Sequence, residues 1–356
     1  VLLNSTGSLS PADAVLTKLT LREKIAQLVQ IRVPGRFLHR QSPEFQEIRN
    51  QIRQNRVGGV VLFAGDIYES AVLLNDLQNL SELPLLVSAD FERGAAFRIA
   101  DTTSFPWTMA LGAAGPEELA YQQGLVTARE ARALGVHWIF APVVDVNNNP
   151  DNPVINIRSF GEDPALVSRL GAAFIRGAKE GGVLTTAKHF PGHGDTTTDS
   201  HLGLAVVESD MDRLQAIELA PFREAIKAGV DSIMTAHVAV PEITGSDDTP
   251  ATLSSKILTD VLRNSLGFRG IVVTDALEMG AISNTWWSGL AAVRALQAGA
   301  DILLLPGNAT VAIDEVERAV KRGDISEERI DQSVRKILQA KSRLGLYKSR
   351  TVPLDG

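Results

Sequence analysis

The 356-residue chain contains no cysteine, which excludes a disulfide framework, thiolate catalysis and zinc–thiolate sites. Reducing and oxidising compartments both tolerate such a chain, so location stays open between the cytoplasm, the preferred reading, and export. No apolar run approaches the ~20 residues needed to cross a bilayer, so no membrane span is expected. No run of Lys or Arg occurs and the net charge is −7, which argues against a nucleic-acid partner and somewhat against polyanionic substrates. No G-x-G-x-x-G follows the first apolar run and no P-loop sequence occurs anywhere, so no nucleotide cofactor is expected. Low-complexity tracts and Pro/Gly/Ser linkers are also missing, and with 44% hydrophobic residues the whole chain can share one large core.

What is present is a repeated alternation. Near-continuous apolar runs at 26–33, 59–64, 85–89, 136–145, 183–189, 232–238, 271–275 and 301–306 read as strands buried on both faces. Amphipathic stretches at 116–134, 164–180, 253–266 and 288–298 read as helices between them, with further helices at 41–55 and 326–344. Gly135, Gly181, Gly229 and Gly299 follow helical stretches, where a left-handed cap is expected. Eight such alternations predict an α/β protein built as a single-domain (β/α)8 barrel over 1–356, closed by the C-terminal helix. A doubly wound open sheet is the alternative. Asp90, Asp145, Lys188, His189, His237 and Asp275 end successive runs, and the C-terminal strand ends are where a barrel builds its site.

The densest chemistry lies in residues 188–201, Lys-His-Phe-Pro-Gly-His-Gly-Asp-Thr-Thr-Thr-Asp-Ser-His, which hold three of the six histidines. A strand opening into a Gly/Pro loop full of ionisable groups is a site rather than core, because unpaired buried charge is too costly. Asp199 next to His201 can fix the imidazole tautomer and stabilise its charged form, giving an acid/base near neutral pH. Asp275 at a strand end can orient a hydroxyl, hold a metal or attack an electrophilic carbon. The rival reading is a metal site, since His189 and His193 have i,i+4 spacing and His237 and Asp275 could add ligands. Pro191 and Gly192 between the two histidines rule out the helix that would give the spacing its meaning, so no catalytic metal is expected.

Lys188 through Asp195, followed by Asp199-Ser-His201, resembles the signature of the β-N-acetylglucosaminidases of glycoside hydrolase family 3. So do Leu21–Leu28, Asp90–Arg98, Ala141–Val146, Arg158–Pro164, Met234–Val238 and Val273–Met279, in family order. One departure is Arg93-Gly94-Ala95 after Glu92, where the family commonly has a Gly pair, and the loop around Arg98 is expected to sit differently. The resemblance implies Asp275 as nucleophile, His201 as acid/base and Asp199 as its orienting partner. It implies Asp90, Arg98, Arg158, Lys188 and His189 as sugar-binding residues, whose acceptors and donors suit pyranose hydroxyls. The implied reaction is retaining removal of terminal β-linked N-acetylglucosamine through a covalent glycosyl-enzyme, without a cofactor. The implied partner is a small carbohydrate of cell-wall muropeptide or chitin type. Alternatives are a family 3 phosphorylase, a β-glucosidase and, more remotely, a metal-dependent barrel hydrolase. Trp286 and Trp287 suggest either an aglycone platform or loop cover, whereas Trp107 and Trp138 read as packing. Val1 in place of Met is consistent with a removed leader, and 346–356 reads as a linker toward a further domain.

Overall fold

Among the described residues ten strands form, eight of them at the eight apolar runs: β1 (Val29–Gly35), β2 (Gly59–Gly65), β3 (Leu86–Ala89), β4 (Trp138–Ile139), β5 (Thr186–Phe190), β6 (Ala205–Val206), β7 (Ser232–Thr235), β8 (Val238–Ala239), β9 (Ile271–Val273) and β10 (Leu303–Leu304), with β6 and β8 in addition. The computed structural model describes residues 10–246 and 248–354; Val1, and Asp355 and Gly356 at the end of the expected linker, lie outside these. Hydrogen bonds join β10-β1-β2-β3-β4 into a parallel five-stranded sheet and β5-β7-β9 into a parallel three-stranded one. Single parallel bridges, Trp138 to Leu184 and Val273 to Ile302, lie at the two seams between these sheets. The fold is α/β, with ladders shorter than the one continuous barrel expected from the runs.

The reasons are local. In the run 136–145 the regular strand is only Trp138–Ile139; Phe140 still donates to Ala89 O and Ala141 still accepts from Thr186 N, both at 2.9 Å, and the run then meets Pro142, which has no N–H to donate. β10 ends where Leu305 takes φ +45° and Pro306 follows. β6 and β8 make a separate parallel pair; β6 lies outside every apolar run, and β8 begins only at Val238, the end of the run 232–238.

The sheets are buried on both faces: Val60, Val61, Leu62, Leu86, Val87, Val272 and Val273 are almost wholly shielded from water. Each such side chain stabilises the fold by roughly 1.5–3 kcal/mol. Trp138 fills the interior between strands, its Nε1 donating to Thr186 Oγ1 (2.7 Å) and Ser232 Oγ (3.0 Å). Polar side chains start the helices by accepting orphan amides, as Asp66 does for Ile67–Leu80, Asp163 for Pro164–Glu180, Asn308 for Ala309–Arg322 and Ser326 for Glu327–Arg343. The expected helix 253–266 is a 3-10 turn, Ala251–Leu253, followed by a π-helical stretch, Lys256–Ser265.

Gly135, Gly229 and Gly299 take positive φ, but Gly181 does not. Gly181 keeps helical angles and is small because a Cβ there would lie 2.4 Å from that of Ala128; Gly182 takes the left-handed turn at φ +89°. The C-terminal helix Glu327–Arg343 meets the start of β10 through Asp301. That buried carboxylate accepts from Arg263 (2.6 Å), Ser333 (2.6 Å) and Lys336 (2.9 Å). Beyond that helix, Val352 exchanges two backbone–side-chain hydrogen bonds with Asn75, at 2.8 and 2.9 Å. No helix among the described residues is long and apolar enough to cross a membrane.

Candidate active site

Strand ends converge on one cleft of about 440 Å³. β3 delivers Asp90, β5 carries Lys188 and His189, and the turn after β9 presents Asp275; all four line the cleft. Arg98, Arg158 and His201 reach it from loops. Asp199 is not a lining residue, but its carboxylate bonds His201.

The floor of the cleft is a web of paired charge. Lys188 Nζ lies 2.8 Å from Asp90 and 2.7 Å from Glu92. Arg98 donates to the other oxygen of Asp90 at 2.7 Å. Arg158 grips Glu92 through two donors, Nε at 2.9 Å and a terminal nitrogen at 2.8 Å, the forked geometry that guanidinium favours. Burial raises the pKa of Glu92, but Arg158 and Lys188 outweigh it and hold the carboxyl well below its ordinary value. Asp90 is likewise raised by burial and lowered further by Lys188 and Arg98, against the opposing charge of Glu92. Burial works against the Lys188 ammonium, yet Asp90 and Glu92 overcome it, so its pKa is raised. These groups are therefore ionised at neutral pH and act as fixed acceptors and donors.

Asp145 organises the turn after β5. It accepts from the amide of His193 (2.7 Å) and from the amide of His189 (3.0 and 3.1 Å), and it pairs with His189 Nδ1 at 2.7 Å. Burial raises its pKa, but the field of His189 and their hydrogen bond bring it below the ordinary value. His193 is held at about 4 by burial and by His189, so it is neutral near pH 7. Its two ring nitrogens meet Thr196 Oγ1 (2.8 Å) and Ser200 Oγ (2.9 Å). His193 thereby fixes the residue that precedes His201.

His201 sits on an exposed loop, its Nδ1 2.8 Å from Asp199 Oδ1, which also accepts from the His201 amide at 2.8 Å. Burial raises the pKa of Asp199, but these two bonds outweigh it and lower it, keeping the partner anionic. Asp275 accepts from the amide of Ala276 at 2.7 Å, and no Arg or Lys among the described residues pairs with it. Burial raises its pKa, and the fields of His237 and His189 with the Ala276 bond reverse the sign, so it too is lowered. His237 is buried behind it, donating or accepting at Thr252 Oγ1 (2.7 Å) and lying 3.0 Å from the Ala276 carbonyl.

Seven of the eight expected site residues thus line one cleft and the eighth bonds to the seventh. Glu92 was not among the expected residues, and Asp145, His193 and Ser200, although within the strand-end and 188–201 readings, had not been given these roles. Of these Asp145 had a signal, its place at the end of the fourth run, whereas Glu92 was visible only as a member of the loop. Asp195 pairs with Arg213 and does not line the cleft. Arg98 reaches Asp90 although Arg93-Gly94-Ala95 replaces a Gly pair, Gly94 turning the loop at φ +95°. Trp286 and Trp287 do not line the cleft; Trp286 packs on the core beneath Arg294, and Trp287 is exposed. Trp107 packs edge-on to Phe97. Among the described residues no group of three or more His, Asp or Glu side chains is placed to hold a metal ion.

Residues 20–340 match the family described as the glycosyl hydrolase family 3 N-terminal domain. β-Hexosaminidase A of Pseudoalteromonas piscicida is 37% identical over 334 residues, covering 85% of this chain and 55% of that protein. The structure of a family 3 β-N-acetylglucosaminidase from Paenibacillus sp. str. FPU-7 superposes with a TM-score of 0.89 at 44% identity, over 95% of this chain and 65% of that one. A β-glucoside phosphorylase bound to 2FGlc superposes with a TM-score of 0.90 at 29% identity, over 97% of this chain and 64% of its own. The chain thus spans little more than half the length of the Pseudoalteromonas relative and just under two thirds of the two structures. With a family match that runs through nearly all of its length, the chain belongs to glycosyl hydrolase family 3.

Proposed function

We propose that the chain is the catalytic part of a retaining exo-β-N-acetylglucosaminidase, with Asp275 as nucleophile and His201 as acid/base oriented by Asp199. The observation that carries this reading is the division of labour among the cleft carboxylates. Asp90, Glu92 and Glu278 are each paired with Arg or Lys, whereas Asp275 has only a backbone donor and keeps an oxygen for substrate. Asp90 and Glu92 are held below their ordinary values by the cations that pair with them, which leaves the His201–Asp199 couple as the proton donor. A His–Asp couple replaces the second carboxylate of the usual retaining pair.

The terminal sugar lies on the floor, where Asp90 and Glu92 accept from its hydroxyls and Lys188, Arg98 and Arg158 donate. Asp275 attacks the anomeric carbon as His201 protonates the departing oxygen. In the second half, His201 takes a proton from water, which displaces Asp275 from the same carbon. For the scaffold we read the two parallel sheets as one eight-stranded (β/α)8 barrel in a single domain, supported by the bridges Trp138–Leu184 and Val273–Ile302 at both seams. Of the two expected substrate types, chitin oligosaccharides, whose leaving group is a neutral sugar, suit this cleft of paired charges better than muropeptides, whose leaving group carries carboxylates.

A second reading has a specific support in the phosphorylase relative: phosphate in place of water as acceptor. One experiment separates these readings. Turnover of aryl N-acetylglucosaminide and aryl glucoside is followed with and without phosphate and with and without chelator. Free N-acetylglucosamine, unchanged by either addition, is the expected product. Sugar-1-phosphate would establish phosphorolysis, preference for the glucoside would establish a β-glucosidase, and loss in chelator restored by zinc would establish metal chemistry.

A further inference from the structure

The cleft is graded from a dry floor to an open mouth. Side-chain exposure is 2% for Lys188 and 3% for Glu92, but 49% for Arg32, 40% for Glu278 and 61% for His201. If the terminal sugar fills the floor and His201 protonates the scissile oxygen, the leaving group lies at the mouth beside Arg32 and Glu278. These two are joined in an ion pair that bridges the N-terminal strand β1 and the segment after Asp275. Arg32 is held independently by Phe63 on β2, its guanidinium 3.7 Å from the ring centroid.

Building on the glycosidase reading, we propose that the Arg32–Glu278 pair sets the charge selectivity of the aglycone subsite, admitting neutral leaving groups and disfavouring those that carry a carboxylate. Among the described residues each Arg or Lys lining the cleft has a carboxylate partner: Arg32 with Glu278, Arg98 with Asp90, Lys188 with Asp90 and Glu92, Arg158 with Glu92. A positive His201 is balanced in the same way by Asp199. A carboxylate entering at the mouth would lose water, find no uncompensated cation, and face the charge of Glu278. A sugar or aryl group with neutral hydroxyls would instead use Arg32 as donor and Glu278 as acceptor. Because Phe63 also holds Arg32, neutralising Glu278 leaves the guanidinium at the mouth and frees it for an anion.

The test uses an aryl N-acetylglucosaminide with a carboxylate on its ring and the methyl ester of the same compound. The quantity read is the ratio of kcat/KM, acid over ester, for wild type, Glu278→Gln, Glu278→Asp and Arg32→Gln. Comparing one ratio across variants cancels the difference in leaving-group ability. Glu278→Gln is expected to raise the ratio about threefold to tenfold, and Arg32→Gln to lower it by a similar factor. Glu278→Asp, which keeps the charge, stays near wild type. At about 1 M salt, where the screening length is about 3 Å, the differences shrink. Melting temperatures equal to wild type separate selectivity from folding. A ratio unmoved in both Glu278→Gln and Arg32→Gln overturns the proposal while the glycosidase reading stands. Wild-type protein that turns over neither compound overturns that reading, and this proposal with it.

Discussion

The amide of Gly280 donates to the carbonyl of His201 at 3.1 Å, so the segment that leaves Asp275 is bonded directly to the loop that carries the imidazole. The amide of Ala281 extends the seam to Ser200 O at 3.3 Å, and Asn284 Nδ2 to Leu202 O at 3.1 Å. A Cβ on Gly280 would stand 2.8 Å from the carbonyl oxygens of both His201 and Leu202, inside van der Waals contact with each. Gly280→Ala is therefore expected to push the loop outward and lower kcat about 10- to 100-fold, the cost of a misplaced catalytic group. Thermal melts are expected to change little, because the loop is exposed. A variant with wild-type kcat would show that the loop reaches its working position without this seam.

Asp275→Ala removes the proposed nucleophile, for which no unpaired carboxylate nearby can substitute. Its kcat is expected to fall by several orders of magnitude while the protein stays folded. Peptide mapping after a 2-fluoro sugar inactivator should place the label on Asp275 in the wild type. A label on Glu278 or any other acid would refute the assignment.

The legibility of the sequence followed the range of the interactions. Asp90, Lys188, His189 and Asp275 were visible because each interrupts an apolar run at its end, and the structure places them around one cleft. Asp145 was visible as another strand end, yet its task was not, because it holds His189 across 44 residues of sequence. Arg32 left no signal at all: it lies inside an apolar run, and its partner Glu278 is 246 residues away. Glu92 had no apolar run to interrupt; only folding brings Arg158 and Lys188 onto it. The strands were located well but not their lengths, since β4 and β10 are cut short by backbone features beside Pro142 and at Leu305. The cap expected at Gly181 falls one residue later, at Gly182, because burial against Ala128 rather than chain reversal keeps Gly181 small.

Asp301 is far from this chemistry and bears on stability. Burial raises its pKa, but Lys336, Arg263 and Arg329 together bring it to about 2, below the ordinary 3.8. A depressed carboxylate stabilises the folded chain fully above the ordinary value, and the contribution is lost as pH falls from about 3.8 toward about 2. Asp301→Asn leaves three cations facing a neutral group and should cost about 3–5 kcal/mol near neutral pH. The gap between wild type and variant, read by denaturant melts, should narrow as pH falls through that window. A gap that stays constant would mean that hydrogen bonds to Ser333 and to the Val272 amide, not charge, account for it.

His201 is tested by varying the leaving group. If it donates the proton, His201→Ala should be severely impaired on glycosides of weakly acidic phenols, which need protonation as the bond breaks. Glycosylation by a very acidic phenol should suffer far less, because that oxygen leaves unaided, and loss of the base should then make deglycosylation limiting, seen as a burst of phenol. Asp199→Asn should give a milder form of the same pattern: the ring keeps a hydrogen-bond partner at Nδ1 but loses the charge that stabilises its protonated form. A small nucleophilic anion such as azide should speed the second step in His201→Ala, since it needs no base, and yield a β-glycosyl azide, the configuration that double displacement requires. Equal losses for all leaving groups, with no burst and no azide product, would make His201 a binding or loop-shaping residue and send the search for the proton donor elsewhere in the cleft.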